Sequence, residues 1–340
     1  MTREEADILI YALGGGMGHM ARASALAKEL HAAGAGKPTV IATPGSTRLF
    51  DSDEFTIKML FPPDDPSEFR AVIIDELKKS RHKLLVVDAL PMGLMGELRE
   101  YFKRFKGKKA LICRLLRQDY REHMNVDEFV MNNYDLVVRC EPLPRNFLRH
   151  PNSVTVPPIL AKNPSEMLSA EEARRRLGVK KNKFLVLAVS ADSMERAEDF
   201  FKTVHERVRK VRDGKVELRF ASPYGEPSPA AAHTRYYPLM ELLPGADLVI
   251  GHAGYHLYHE CAAAGVAALL NPRPRLHDDQ TARMKKSPPS IKAFFSPQEI
   301  DNAIRKALKN KKARRIAKQT PSGAKKTAKA IIEMCQVAGL

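Results

Sequence analysis

The sequence predicts an α/β fold: two Rossmann-like, doubly wound parallel-sheet domains facing a cleft. Two observations carry this expectation. Short, continuously apolar runs alternate with helical patterns along the chain, as parallel strands covered on both faces by crossover helices require. The alternation breaks at a proline-rich joint and restarts, and 340 residues suffice for two domains of ordinary size. The expected division is 1–160 for an N-terminal domain, 168–320 for a C-terminal domain and 321–340 for a terminal helix.

In the first half, Asp7–Leu13 (DILIYAL) reads as a buried strand, Gly14–Gly18 as a turn, and His19–Ala33 as a helix ending at Gly34. Further strands are expected at Thr39–Ala42, Leu84–Asp88, Ala110–Cys113 and Leu136–Arg139. Val156-Pro157-Pro158 and Asn163-Pro164 then punctuate the chain. Ser169-Ala170-Glu171-Glu172 has the spacing of a capping box opening a helix. Strands are expected again at Phe184–Val189, Val216–Phe220, Asp247–Ile250 and Val266–Leu270. Right-handed crossovers make each series a doubly wound sheet, with ligands beyond the carboxyl ends of the strands. That places Gly14–His19 and Gly251–Gly254 at cleft edges.

Composition narrows the partners. The net charge of +16 favours an acidic partner: nucleic acid, anionic lipid headgroups or phosphorylated small molecules. No zinc-finger spacing or RNA-recognition signature accompanies the charge, which argues against nucleic acid. Arg305–Lys329 holds many Lys and Arg and no Asp or Glu, so it reads as a solvated helix or tail, or as a patch for an anionic membrane. Cys113, Cys140, Cys261 and Cys335 are too widely spaced for a metal cluster or redox pair, and read as reduced thiols of a cytoplasmic protein. The opening residues lack a signal-peptide pattern, and no run of 18 uncharged apolar residues occurs, so any membrane contact is expected to be peripheral.

Two motifs carry chemistry. Leu13-Gly14-Gly15-Gly16-Met17-Gly18-His19 follows a strand and opens a helix, where glycines let a ligand approach the backbone and the helix start favours negative charge. It fits neither the dinucleotide fingerprint nor the phosphate-loop pattern. His19 at a helix start has a lowered proton affinity and suits a general base. Asp88 ends a strand where a cleft residue would sit and is a candidate to position His19 or an acceptor. Arg22, one turn beyond His19, suits a phosphate or solvent. The second motif runs from Ala246 through Gly251-His252-Ala253-Gly254-Tyr255-His256-Leu257 to Glu260, then Ala264-Gly265-Val266-Ala267, and on to His277-Asp278-Asp279-Gln280. It reads as strand, tight turn, helix with an internal acid, strand and polar loop.

This string resembles the donor box of the GT-B glycosyltransferases, in particular the lipid-linked N-acetylglucosaminyltransferase of peptidoglycan synthesis and the UDP-glycosyltransferases. His252, Gly254, Glu260, Ala264, Gly265 and Asp279-Gln280 occupy the box positions. Gly16, Gly18, His19, Leu26 and Ala27 resemble the same group's N-terminal pattern. The two motifs lie about 230 residues apart and touch both halves. The resemblance implies a metal-independent, inverting sugar transfer from a nucleoside-diphosphate sugar such as a UDP-sugar, with no cofactor or metal. The N-terminal domain would take the acceptor and the C-terminal domain the donor. His252 and the helix-start amides at Tyr255, His256 and Leu257 would hold the diphosphate, Glu260 the ribose, and Asp279 and Gln280 the sugar. Tyr237 would border the base, Gly16 and Gly18 would line the donor's approach, and His19 would act at the reaction centre. The terminal helix would pack back on the first domain. His256 and His259 taken by themselves read as packing or surface residues.

Departures from the pattern keep other readings open. The glycine-rich turn after the first strand of the second domain is Ser190-Ala191-Asp192-Ser193, and Asp192 beside a diphosphate would repel it. Ala267 stands where Pro is usual. Gly16-x-Gly18-His19-x-x-Arg22 also resembles a GT-B-like nucleotide-sugar hydrolase, in which water replaces the acceptor. A non-catalytic nucleotide- or membrane-binding protein is the third reading. Asp51-Ser52-Asp53 matches the metal motif of a different glycosyltransferase fold, but reads as a surface segment.

Overall fold

The computed structural model describes residues 7–47, 49–144, 147–180, 182–223, 233–309 and 320–337. Residues 1–6 at the start, and 310–319 within the basic stretch, lie outside the described residues. The chain divides into two compact units. The first comprises 1–161, 276–278 and 322–340, and the second comprises 162–275 and 279–321.

The strands of the first unit are β1 (Ile8–Tyr11), β2 (Thr39–Ala42), β3 (Thr56–Met59), β4 (Leu84–Asp88), β5 (Lys108–Cys113), β6 (Leu136–Arg139) and β7 (Ser153–Thr155). They form one parallel sheet in the order β3-β2-β1-β4-β5-β6-β7. Its helices are α1 (Met17–Ala32), α2 (Pro44–Thr47), α3 (Phe69–Lys79), α4 (Leu98–Tyr101), α5 (Gln118–His123) and α6 (Val126–Asn133). Every residue of β1 and β4 is buried, which is why both read as unbroken apolar runs. β3 and β7 escape the sequence reading because they are short edge strands whose residues are mostly exposed.

The second unit holds β8 (Phe184–Val189), β9 (Val216–Ala221), β10 (His233–Thr234), β11 (Leu248–His252), β12 (Ala268–Asn271) and β13 (Ile291–Ala293), in the parallel order β10-β9-β8-β11-β12-β13. Its helices are α7 (Ala170–Arg176), α8 (Met194–Val211), α9 (Tyr255–Ala264), α10 (Gln280–Met284) and α11 (Gln298–Lys309). Alternate residues of β8 enter opposite cores. Leu185, Leu187 and Val189 pack with Tyr258 and Cys261 of α9, whereas Val186 and Ala188 pack with Phe201 of α8 and Ile304 of α11. Ser169 caps α7 by accepting from the Glu172 amide, but the Glu172 carboxylate turns to Arg175 and Arg176 instead of closing the box. A full capping box sits earlier, at Asn163 and Glu166. The last helix, α12 (Ala324–Val337), belongs to the first unit and packs on α1.

In each sheet the strand order reverses at one place, between β1 and β4 in the first unit and between β8 and β11 in the second. At such a switch point adjacent crossovers leave on opposite faces and open a crevice beyond the strand ends. That topology places the candidate residues. Among the described residues no helix is long and apolar enough to cross a membrane.

Candidate functional site

At the switch point of the first unit, β1 passes through the glycine turn into α1, and β4 ends at Asp88. His19, in the first turn of α1, places Nδ1 2.7 Å from Asp88 Oδ2, with the oxygen off the N–H axis. Arg22, one turn further on the same face, donates from Nε and one terminal nitrogen to the two Asp88 oxygens, each at 2.7 Å. Asp88 is 1% exposed and Arg22 3%, so this is a buried, bidentate pair with a histidine against it. Arg22, read from the sequence as a phosphate or solvent partner, is instead committed to Asp88.

The glycine turn makes room for this arrangement. A Cβ on Gly14 would overlap the His19 ring and lie 2.6 Å from its Nε2, so the imidazole rests on a backbone that must carry no side chain. A Cβ on Gly15 or Gly16 would meet no protein atom within 4 Å, so internal packing does not dictate glycine there. Gly16 caps α1 in extended backbone that any residue adopts, and Gly18 lies in the first turn. Beyond Asp88 the chain turns through Ala89 at φ 65, a left-handed conformation costing about 1–2 kcal/mol for a residue with a Cβ. The loop after it is tied down by buried Glu97, which accepts from Tyr11 Oη and from the Met95 amide at 2.8 Å.

Burial is the largest influence on His19 and lowers its pKa. Asp88 opposes that effect, while Arg22 and Arg114 add to it. The ring is therefore neutral at pH 7, as a proton acceptor must be. Burial alone would raise Asp88, but Arg22 and His19 outweigh it and hold the carboxyl well below the usual range. Arg114 escaped the sequence reading, and His277 and Asp278 were read only as part of the second motif's polar loop. Arg114, just past β5, pairs with Asp278 at 2.8 Å. The backbone of 276–278 is held there by the Arg117 amide donating to His277 O at 2.9 Å. His277, pushed down to about 4 by burial and then by Arg114 and His19, lies close enough to feel His19. The legible signal was position: Asp88 and Arg114 stand at the carboxyl ends of adjacent strands.

The second unit repeats the geometry with the residue types exchanged. Asp192 follows β8, His252 ends β11, and the two flank its switch point with His252 Nε2 3.4 Å from Asp192 Oδ2. Arg273 and Arg275, beyond the end of β12, both donate to Asp192, Arg273 to Oδ2 at 2.5 Å and Arg275 to Oδ1 at 2.6 Å. Burial, then Arg273 and Arg275, push His252 down to about 4 against the pull of Asp192. A Cβ on Gly251 would overlap the end of the Leu257 side chain and stand 3.0 Å from Val189 O, so a larger residue there needs Leu257 to move. Gly254, the N-cap of α9, has open space around it.

Tyr255, His256 and Leu257 form the first turn of α9, with Tyr255 buried edge-on to His259 at 4.6 Å between ring centroids. Glu260 is buried in the next turn, its Oε1 3.2 Å from His256 Nδ1, so His256 is tied to the acid. Asp279 caps α10, accepting from the Ala282 amide at 2.9 Å, and buried Gln280 accepts from the Arg273 amide at 3.0 Å. Tyr237 is half-buried ahead of the 3-10 turn Leu239–Gly245. The second unit thus brings His252, the α9 start, Glu260 and the α10 start around the carboxyl ends of β11 and β12. Arg273 and Arg275 join them, and a cation pair after a strand end was the signal for them.

No family model matches the chain, and no curated protein matches it significantly in sequence. Solved structures do match over nearly the whole chain. MurG of Acinetobacter baumannii superposes with a TM-score of 0.56 at 14% identity, covering 96% of this chain and 99% of that one. HepE of Anabaena, in complex with UDP and glucose, gives 0.57 at 11% identity, covering 98% of each. A putative UDP-N-acetylglucosamine 2-epimerase of Listeria monocytogenes gives 0.63 at 14% identity, covering 96% of this chain and 94% of that one. The fold is GT-B. In the GT-B fold as this chain builds it, each Rossmann-like unit sets an Asp–His pair at its own switch point. The first unit balances its aspartate with an arginine from α1, and the second with two arginines beyond β12.

Proposed function

We propose that the chain is a metal-independent glycosyltransferase that takes a UDP-sugar-type donor and transfers the sugar with inversion. The observation that carries this reading is the buried His19–Asp88–Arg22 assembly. It is a neutral imidazole with one nitrogen against a fixed carboxylate and the other, Nε2, left for proton chemistry. In this reading His19 takes the proton from an acceptor hydroxyl as that oxygen attacks the sugar's anomeric carbon and the nucleoside diphosphate leaves. Asp88 stabilises the imidazolium that forms, and Arg22 keeps Asp88 ionised and in place. In the second unit, the α9 start and His252 take the diphosphate, Glu260 the ribose, Asp279 and Gln280 the sugar, and Tyr237 borders the base. Open space at Gly16 and Gly254 suits a ligand approaching the backbone. The UDP bound in the structurally similar HepE supports the donor class.

The direct check is calorimetric titration with UDP, comparing the intact protein with Glu260→Ala. Loss of the ribose acceptor should weaken UDP about 10- to 100-fold, as expected for leaving buried hydroxyl contacts unmade. No UDP binding by the intact protein removes the reading. Anomeric NMR of the product then reports whether the stereochemistry inverts.

A second reading, a nucleotide-sugar hydrolase, is favoured by the Gly16-x-Gly18-His19-x-x-Arg22 pattern, and the match to an epimerase structure shows that the fold serves more than transferases. Rapid UDP release without any acceptor, abolished by His19→Asn, would select it. The acceptor is a hydroxyl-bearing molecule, and a lipid-linked one fits the net charge of +16.

A further inference from the structure

The loop after β8 is where the second unit departs most from expectation, because a carboxylate sits where a diphosphate would need positive surroundings. The contacts resolve the conflict. Asp192 does not point away; it is gripped by Arg273 and Arg275, with His252 against it, and its side chain is only 10% exposed. The arginines are more open, at 30% and 38%, so the carboxylate lies inward and the guanidiniums border solvent. Arg196, in the first turn of α8, adds its charge to Arg273. Two guanidiniums therefore hold one carboxylate, with His252 neutral at pH 7 because its pKa is held down to about 4.

We propose that Arg273 and Arg275 complete, with His252 and the α9 start, the phosphate-binding site of the second unit, and that Asp192 is its built-in occupant, displaced when a diphosphate group arrives. The inference rests on the nucleotide-sugar reading for the identity of the ligand, but not for the anion chemistry. A carboxylate oxygen at each guanidinium reproduces what a phosphate oxygen would do there, and a diphosphate carries more negative charge than a single carboxylate. Occupancy by Asp192 keeps the arginines ordered without ligand and lowers apparent affinity by the fraction of time the site is filled from within. The altered Ser190–Ser193 turn is then a regulator of donor affinity and no sign of a lost site.

The experiment is calorimetric titration of the full chain with sodium pyrophosphate and, separately, with UDP. Asp192→Asn keeps the shape and removes the charge; it should tighten pyrophosphate binding by about tenfold, as expected when a charged competitor is removed from a partly buried site. Arg273→Gln with Arg275→Gln, in the otherwise natural chain, should abolish it. Asp192→Asn binding pyrophosphate no better than the natural protein would mean that Asp192 braces the arginines, and the proposal falls. It falls equally if the double arginine variant binds unchanged, a result that does not depend on Asp192→Asn folding. If both variants respond as expected but UDP binds no tighter than pyrophosphate, the anion site stands and the nucleotide-sugar reading fails instead.

Discussion

Replacing Arg22 by Gln tests whether the first-unit site is an electrostatically balanced assembly. Asp88 is 1% exposed and takes two donors from Arg22, each at 2.7 Å. At a charge separation of about 4 Å and an effective dielectric of about 20, such a pair attracts by about 4 kcal/mol. Removing one partner of a buried pair costs about 3–5 kcal/mol, because the remaining charge stays dry and unmatched. An exposed pair would cost only ~0.2–1 kcal/mol. Arg22→Gln should therefore lower the unfolding free energy in urea at pH 7 by about 3 kcal/mol. The folded pKa of Asp88 is depressed, so its stabilisation is fully present above the ordinary carboxylate range and is lost only as acid approaches the folded value. Measurement at pH 7 thus reads the whole effect.

The same substitution carries a second readout that mere unfolding would not give. Arg22 lowers the pKa of His19, so its removal should move the NMR titration of the His19 ring to higher pH. If His19 is the base, it works deprotonated, and the acid limb of the rate profile should move to higher pH with it. A stability loss under about 1 kcal/mol, the range of an exposed pair, with an unmoved His19 titration, would refute the reasoning.

Three more outcomes are expected. Gly14→Ala should destabilise the protein by about 1–3 kcal/mol through overlap with the His19 ring, whereas Gly15→Ala, with open space around it, should leave the urea midpoint almost unchanged; equal effects would contradict the packing account. His82, His252 and His277 are each pushed down to about 4, chiefly by burial. Unfolded imidazoles take up protons below about 6.5 while these stay neutral, so stability should fall as pH drops from about 6.5 towards 4; urea midpoints that stay flat across that window would count against it. The net charge of +16 and the stretch 305–329 without Asp or Glu should bind anionic vesicles in a way that weakens steeply with salt. Equal partition onto neutral vesicles would dismiss the membrane reading.

The strands that the sequence shows most plainly are the ones buried on both faces. β2, β4, β6 and β8 begin and end where the apolar runs do, because a strand covered by helices on each side has no polar face to interrupt it. The edge strands β3, β7, β10 and β13 were invisible, since a short strand open on one edge needs no apolar run. The glycine turn, His19 and the His252–Glu260 string were equally legible, because a turn and a helix start impose local chemistry on adjacent residues.

Features that depend on neighbours along the chain are legible before folding: the strand–helix alternation, the glycine turns and the helix-start histidine. Which residues meet across the strand ends emerges only once the chain is folded. Arg22 could have faced solvent or phosphate until β4 came to lie beside β1, and Asp192 could have pointed outward until Arg273 and Arg275 arrived from beyond β12. The physical reason is that charge pairing acts through space over a few ångströms, while the residues it joins lie 66 and 81 positions apart.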